Sequence, residues 1–327
     1  MSSIHSTKFK RLKINLTIAA IFALGSSVTQ AADVTRSLPL PTGTPTADEI
    51  IDQVYYVNHF FGFDNYGIGK DDKHITVLVN KSAGEKPTTV TVERYLNNNY
   101  EDDSAIKARD LAIFRSGKLR GTGMLITEFD DPDKSQSYAI WIPSLRKIRR
   151  FAEPAHDDAW GGTDFTFGDV ALRKPQNETH ELLGSDTFKG CLGSVTLAED
   201  EKNKYTRNLP SASCAADGKA VYKVKSATKF ENWWYDSRIS YVDTQSFADY
   251  RTEFFKDGAQ IKVLDRDWRP VDNASDPRQV VWGYWYGKTE ATGHETWAVI
   301  PPEVVSYNDT KKKDDLWSEK TLRKIRR

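Results

Sequence analysis

The sequence predicts an α+β fold built on one long antiparallel sheet. Three observations carry the prediction. Short runs of alternating β-branched and aromatic residues recur along most of the chain, separated by turn-forming residues. Only one stretch, residues 46–59, shows a clear amphipathic helical period. Mean hydropathy is low at −0.60 although Phe, Trp and Tyr make up 12% of the 327 residues. That combination suits a thin sheet solvated on one face better than a thick helical core.

The chain opens with Lys8, Lys10, Arg11 and Lys13, then an apolar run from Ile14 to Leu24, then small residues to Ala31. This is the order of a secretory signal peptide, and the run is too short to span a bilayer. Residues 1–31 are therefore expected to be a removed leader, with 32–327 a single domain in the periplasm. The leader contains no Cys near its end, so no lipid anchor is expected. Removing its four basic residues from 46 basic against 46 acidic leaves a net charge of −4, a balance that speaks against nucleic acid as a partner.

Residues 34–45 read as an extended lead-in. Thr46 and Glu49 have capping-box spacing, and Ile50, Ile51, Val54, Tyr55 and Val57 give the helix an apolar stripe to about His59. Strands are expected at His74–Asn80, Thr88–Leu96, Ala108–Arg115, Gly121–Phe129 and Ser137–Ile142, where Pro143 stops the ladder. A basic strand follows over Arg146–Phe151, then a Pro/Gly/Asp-rich loop and the aromatic segment Asp164–Phe167. Further strands are expected near His180–Gly184, at Ala220–Phe230, Ile239–Asp243, Ala248–Phe255 and Gln260–Asp265, with Asp257-Gly258 as a hairpin turn. Val280–Tyr286, Thr296–Ile300 and Leu316–Ile325 are read as the closing strands.

The central motif, an aromatic strand ending in Ile142-Pro143, the basic run Arg146–Arg150 and the element Gly162-Thr163-Asp164-Phe165-Thr166-Phe167, resembles the outer-membrane lipoprotein-sorting (LolA-like) family. Weaker echoes, Thr46–Asn58 and Tyr241–Leu264 among them, extend the resemblance over most of the chain. It implies an incomplete antiparallel β-barrel, a curled sheet whose concave face is covered by the N-terminal helix and one or two short helical segments. It also implies a carrier or chaperone that hides acyl chains of a lipoprotein or lipid in an apolar pocket. The chain is longer than the classical members and so resembles the long branch, whose members often accompany exporters of the resistance-nodulation-division class.

Candidate lining residues follow from strand parity. Trp141 alternates with Ile140 and Ile142, so its strand is apolar on both faces and needs cover on both. Phe165 and Phe167 share a face at period two. Tyr250 and Phe254 are expected to do the same, as are Trp282 and Tyr284. Ile50, Ile51 and Val54 would form the lid. Arg146, Lys147, Arg149 and Arg150 are candidates for contact with lipid headgroups, an exporter or an outer-membrane receptor, or else form a solvated strand.

Cys191 and Cys214, an even pair in an exported chain, are expected to form a disulfide worth about 3 kcal/mol in the chain-entropy model. No cofactor or metal is expected. His156-Asp157-Asp158 lacks the helical spacing that aims two ligands at one ion, and Gly67-Ile68-Gly69-Lys70 lacks the frame of a phosphate loop. No Gly-x-Ser-x-Gly elbow occurs, and the chain does not read as an enzyme. The alternative to a carrier is a scaffold that binds an exporter or outer-membrane partner without a small ligand.

Overall fold

The computed structural model describes residues 34–100, 105–131 and 133–325, so the leader expected over 1–31 lies outside the described residues. Helix α1 (Ala47–Asn58) begins at the expected box. The Thr46 hydroxyl accepts from the Glu49 N–H, and the Glu49 carboxylate accepts from the Thr46 N–H. Two of the four orphan donors at the helix start are satisfied in this way. The apolar stripe of α1, Ile50, Ile51 and Val54, is buried.

The rest of the chain is dominated by strands. The first half supplies β1 (Asn65–Ile68), β2 (Thr76–Lys81), β3 (Thr88–Asn97), β4 (Ile106–Phe114), β5 (Gly123–Phe129), β6 (Ser137–Ile142) and β7 (Lys147–Phe151). The second half supplies β8 (Glu178–Thr187), β9 (Ala220–Thr228), β10 (Ser237–Asp243), β11 (Asp249–Lys256), β12 (Ala259–Pro270), β13 (Val280–Thr289), β14 (His294–Val299) and the short β15 (Val305–Tyr307). All belong to one antiparallel sheet in the order β7-β6-β5-β4-β3-β2-β14-β13-β12-β11-β10-β9-β8, with β1 pairing β3 and β15. The two half-meanders join where β14 pairs β2, Trp297 opposite Val79. Among the described residues the end strands β7 and β8 pair only inward, so the curled sheet does not close into a barrel.

The two faces of this sheet carry different cover. The inner face meets α1 and the strap of residues 159–175. The outer face of β4–β7 is covered by the C-terminal segment, where Trp317 and Leu322 pack on Leu111, Ile113, Leu125 and Ala139. That segment was expected to be a strand. Instead Ser318 caps helix α2 (Glu319–Lys324) by accepting from the Thr321 N–H, and the helix lays Leu322 onto the sheet. Ser at the N-cap and Glu in the first turn favour a helix here. Cys191 and Cys214 are disulfide-bonded, and their loop covers the outer face farther along. Its Gly193 N–H donates to Asp265 and its Ser213 N–H donates to the Tyr284 hydroxyl. Among the described residues no helix is long and apolar enough to cross a membrane.

Candidate functional site

The strap is built by its own backbone. Trp160 N–H bonds to Phe165 carbonyl at 2.7 Å, and Phe167 N–H to Asp158 carbonyl at 3.0 Å, folding residues 158–167 back on themselves. The turn points Trp160 and Phe165 at the sheet, both buried. Phe165 lands on Gly287, where a Cβ would sit 3.0 Å from its ring, so glycine is what lets the strap approach so closely. Asp164 fastens the strap. Its carboxylate accepts from the Thr289 and Thr296 hydroxyls at 2.6 and 2.8 Å and lies 2.6 Å from His294 Nδ1.

Two small cavities lie between the strap, α1 and the sheet. The first is apolar, about 50 Å³, and lined among others by Leu78, Val92, Trp160, Phe165, Trp282 and Trp285. The Trp282 and Trp285 indole N–H groups have no hydrogen-bond partner among the described residues. The second, also about 50 Å³, lies under α1 and is polar; Tyr55, Asn58, Asp169, Arg173, Arg238 and Arg266 are among its lining. Val170 lines both. At about 30 Å³ per water, each space holds one or two waters and no acyl chain.

Charges are concentrated beside the polar cavity. Asp169 pairs with Lys262 at 2.5 Å and with Arg173 at 2.8 Å. Glu178 takes Arg238 at 2.6 Å and the Tyr235 hydroxyl at 2.8 Å. Asp249 takes Arg266 and an amide N–H of Asn58 on α1. Burial alone would raise the Asp169 carboxyl; Lys262 and Arg173 outweigh it and hold the group well below the usual carboxylate range. Glu178 behaves alike, burial opposing and Arg238 winning, and sits at about 2. His59, at the end of α1, is pushed down to about 4 by burial, against the pull of the Tyr55 and Ala171 carbonyls beside its two ring nitrogens.

Four of the seven candidate lining residues lie on the inner face, and two of them share a cavity. Phe165 and Trp282 line the apolar cavity. Phe167 packs edge-on to Tyr138 on the inner face of β6, and Phe254 stacks on Trp234 with the Arg173 guanidinium over its ring. Three lie on the other face. Trp141 packs with Trp317 and Leu322 under the C-terminal segment, because it is Tyr138 and Ile140 that share the inner parity. Tyr250 and Tyr284 lie under the cysteine loop, beside Phe188 and Ser213 respectively. In both cases a bulge resets the alternation. β10–β11 slips between Tyr241 and Val242, so Tyr250 has no partner of its own and joins Arg251 on the outer face. β12–β13 slips so that Gly283 is extra; Trp282 and Trp285 then share the inner face while Tyr284 faces out. A side chain at Gly283 would have to displace Asp267, since a Cβ there would lie 2.0 Å from its carboxylate oxygen. One inserted residue flips everything beyond it.

The cationic run divides as well. Arg146 sits in the turn at φ 50, Lys147 and Arg149 project from one face of β7, and Arg150 pairs with Glu319 of α2 across the other at 2.7 Å. All four are exposed. His156 faces Glu153 at 3.5 Å and the rings of Phe230 and Trp233, and among the described residues no cluster of His, Cys, Asp and Glu is arranged to hold a metal ion. The residues missed from sequence are Trp160, Trp285 and the cations Arg173, Arg238, Lys262 and Arg266. Trp285 was within reach, since Gly283 in an otherwise bulky strand marks a bulge.

A family model described as an uncharacterized protein matches residues 107–309. The chain belongs to that family. Solved structures show the same fold. A domain named for outer-membrane lipoprotein sorting, from Vibrio parahaemolyticus, superposes with a TM-score of 0.61 at 14% identity, covering 85% of this chain and 98% of that one. A DUF1329 family protein from Desulfovibrio piger gives 0.61 at 13% identity, covering 85% and 100%. A LolA superfamily protein from Nitrosomonas europaea gives 0.51 at 11%, again over 85% and 100%. The fold is LolA-like, as the motif in residues 136–172 implied. No curated protein matches the sequence.

Proposed function

We propose that this protein is a non-catalytic periplasmic carrier, residues 32–327 after loss of the leader, that shields the acyl chain of a lipid or lipoprotein on its inner face. The observation that carries the reading is the self-filled trough. Trp160, Phe165 and Val170 of the strap occupy an apolar channel floored by Leu78, Val92, Trp282, Trp285, Ala298 and Ile300. Removing the strap would expose these aromatic and aliphatic side chains. An acyl chain that took its place would recover about 0.8 kcal/mol per buried CH₂. Such a chain does not cross water unaided, and a protein that hides it needs no chemistry. The neighbours named for lipoprotein sorting and the LolA superfamily support the reading through their fold.

The test is titration of the folded protein with the neutral apolar fluorophore N-phenyl-1-naphthylamine, followed by displacement with a long-chain lipid. Stoichiometric binding and displacement are expected. Asp164→Asn, which weakens the strap's fastening to Thr289, Thr296 and His294, should speed probe uptake severalfold. Absence of binding at micromolar protein would leave the scaffold reading, in which the exposed β7 edge meets an exporter or outer-membrane partner.

A further inference from the structure

We infer that the polar cavity beneath α1 receives the anionic headgroup of the carried lipid, so that the ligand class is an amphiphile with a phosphate-type or other anionic head. The inference rests on the carrier reading and specifies which lipids the site takes.

The charges around the cavity do not balance. Of the charged side chains that line it, four are cations, Arg173, Lys174, Arg238 and Arg266, and two are carboxylates, Asp169 and Asp249; Glu178 and Lys262 stand behind them, paired with Arg238 and Asp169. Each buried cation has a carboxylate partner, yet a wall richer in cations than in carboxylates favours an anion. Arg266 supplies the specific point of contact. It lines the cavity at 4% exposure, spends one terminal nitrogen on Asp249, and keeps an Nε–H with no hydrogen-bond partner among the described residues. A buried donor on a charged group left unpaired is destabilising, and a ligand oxygen would satisfy it.

The two cavities are also neighbours across this residue. The Arg266 guanidinium lies 4.1 Å from the centroid of Trp285, whose ring lines the apolar trough. Val170 of the strap lines both spaces. A head placed against Arg266, Arg173 and Arg238 therefore leaves its first methylenes at Trp285 and its tail along the trough that the strap now fills. The arrangement matches an amphiphile end to end, with charge where the cations are and hydrocarbon where the indoles are.

The experiment compares two lipids with one tail: palmitoyl lysophosphatidic acid, anionic, and monopalmitoylglycerol, neutral, each displacing the naphthylamine probe from the full chain. The anionic lipid should bind at least about tenfold more tightly, the equivalent of one charge-assisted hydrogen bond. Arg266→Met combined with Asp249→Asn removes the ion pair as a unit, so that no carboxylate is stranded, and should bring the ratio of the two affinities close to one. The milder Lys174→Gln, away from the buried pairs, should lower the ratio without a folding defect. Equal affinities in the wild type would overturn the headgroup site and leave the carrier reading standing. A ratio unchanged in both variants would overturn it too. Protection of the fold by inorganic phosphate alone, with equal lipid affinities, would mark a free-anion site and likewise overturn it. If neither lipid displaces the probe, the carrier reading fails and this inference with it.

Discussion

The molecule holds two groups of cations, and they are opposites. Arg146, Lys147, Arg149 and Arg150 lie close together in sequence and are exposed, Arg146 in the turn and the other three on the open edge strand β7, where Arg150 pairs with Glu319. Arg173, Arg238, Lys262 and Arg266 come from three separate elements, the strap, β10 and β12, lie on the inner face, and each has a carboxylate partner. The contrast teaches that a run of charge in sequence reports a solvated surface, whereas a charged site is assembled from residues far apart. It also separates two jobs. Charge along an edge strand discourages edge-to-edge pairing with other chains and costs little. Charge on the inner face must be matched group by group, and its removal one member at a time is severe.

The sharpest break of this comparison is Asp169→Asn. It leaves Lys262 and Arg173 without their shared carboxylate in a region where that carboxylate is fully buried. The expected loss is about 3–5 kcal/mol, read from urea unfolding. Removing the disulfide, Cys191→Ser with Cys214→Ser, comes next at about 3 kcal/mol by the loop-entropy account. Because the cysteine loop covers the outer face, that variant should keep its probe binding once folded. Loss of binding in a folded double serine variant would mean that the two faces are coupled.

The pH dependence of stability probes the inner face from the helix side. His59 titrates at about 4 in the fold against an ordinary 6.5, because burial penalises its charged form. The unfolded chain therefore binds more protons between these values, and the contribution of His59 is full above about pH 6.5 and lost as pH falls toward 4. Asp52, raised to about 6 by burial and by Asp48 and Glu49, acts in the opposite sense: its contribution is present at low pH and fades as pH rises from 3.8 through about 6. The difference between wild type and His59→Gln across pH 4–7 isolates the first. A difference that does not grow with pH would remove His59 from the account.

The legible parts of this fold are those whose signals are local. Helix α1 was readable because Thr46, Glu49 and the apolar stripe lie within three turns. Most strands were readable from alternation, but the short β1 and β15 were not expected, and β12 runs on to Pro270, past its expected end at Asp265. The faces on which the candidate residues lie were half readable. Parity placed Phe165, Phe167, Phe254 and Trp282 on the inner face, and failed for Tyr250 and Tyr284 because each sits at a bulge, a feature of pairing with a neighbour rather than of the strand itself. The buried cations were not readable. Lys262 finds Asp169 across 93 residues and Arg238 finds Glu178 across 60, and neither pair has a local signature. Leu316–Ile325 was misread because its apolar residues were weighed above the Ser318 cap.

The smallest expected effect belongs to the edge. Arg149→Glu with Arg150→Glu breaks one ion pair, and the Arg150 side chain in that pair is 72% exposed. Exposed pairs of this kind contribute about 0–1 kcal/mol, so the variant should unfold within about 0.5 kcal/mol of the wild type. Binding through this edge is a separate matter. Two reversals change the charge of β7 by four units, enough to abolish attraction to an anionic surface at low salt, where screening is weak. The measurement is co-sedimentation with vesicles of phosphatidylglycerol and phosphatidylcholine, at low and at physiological ionic strength. Weaker sedimentation of the variant at low salt, with the same lipid ratio at the inner site, would assign the edge to docking and the inner cations to the carried molecule. Equal sedimentation would leave β7 as an edge kept soluble by its charge, and all recognition of anions would then fall to Arg266 and its neighbours.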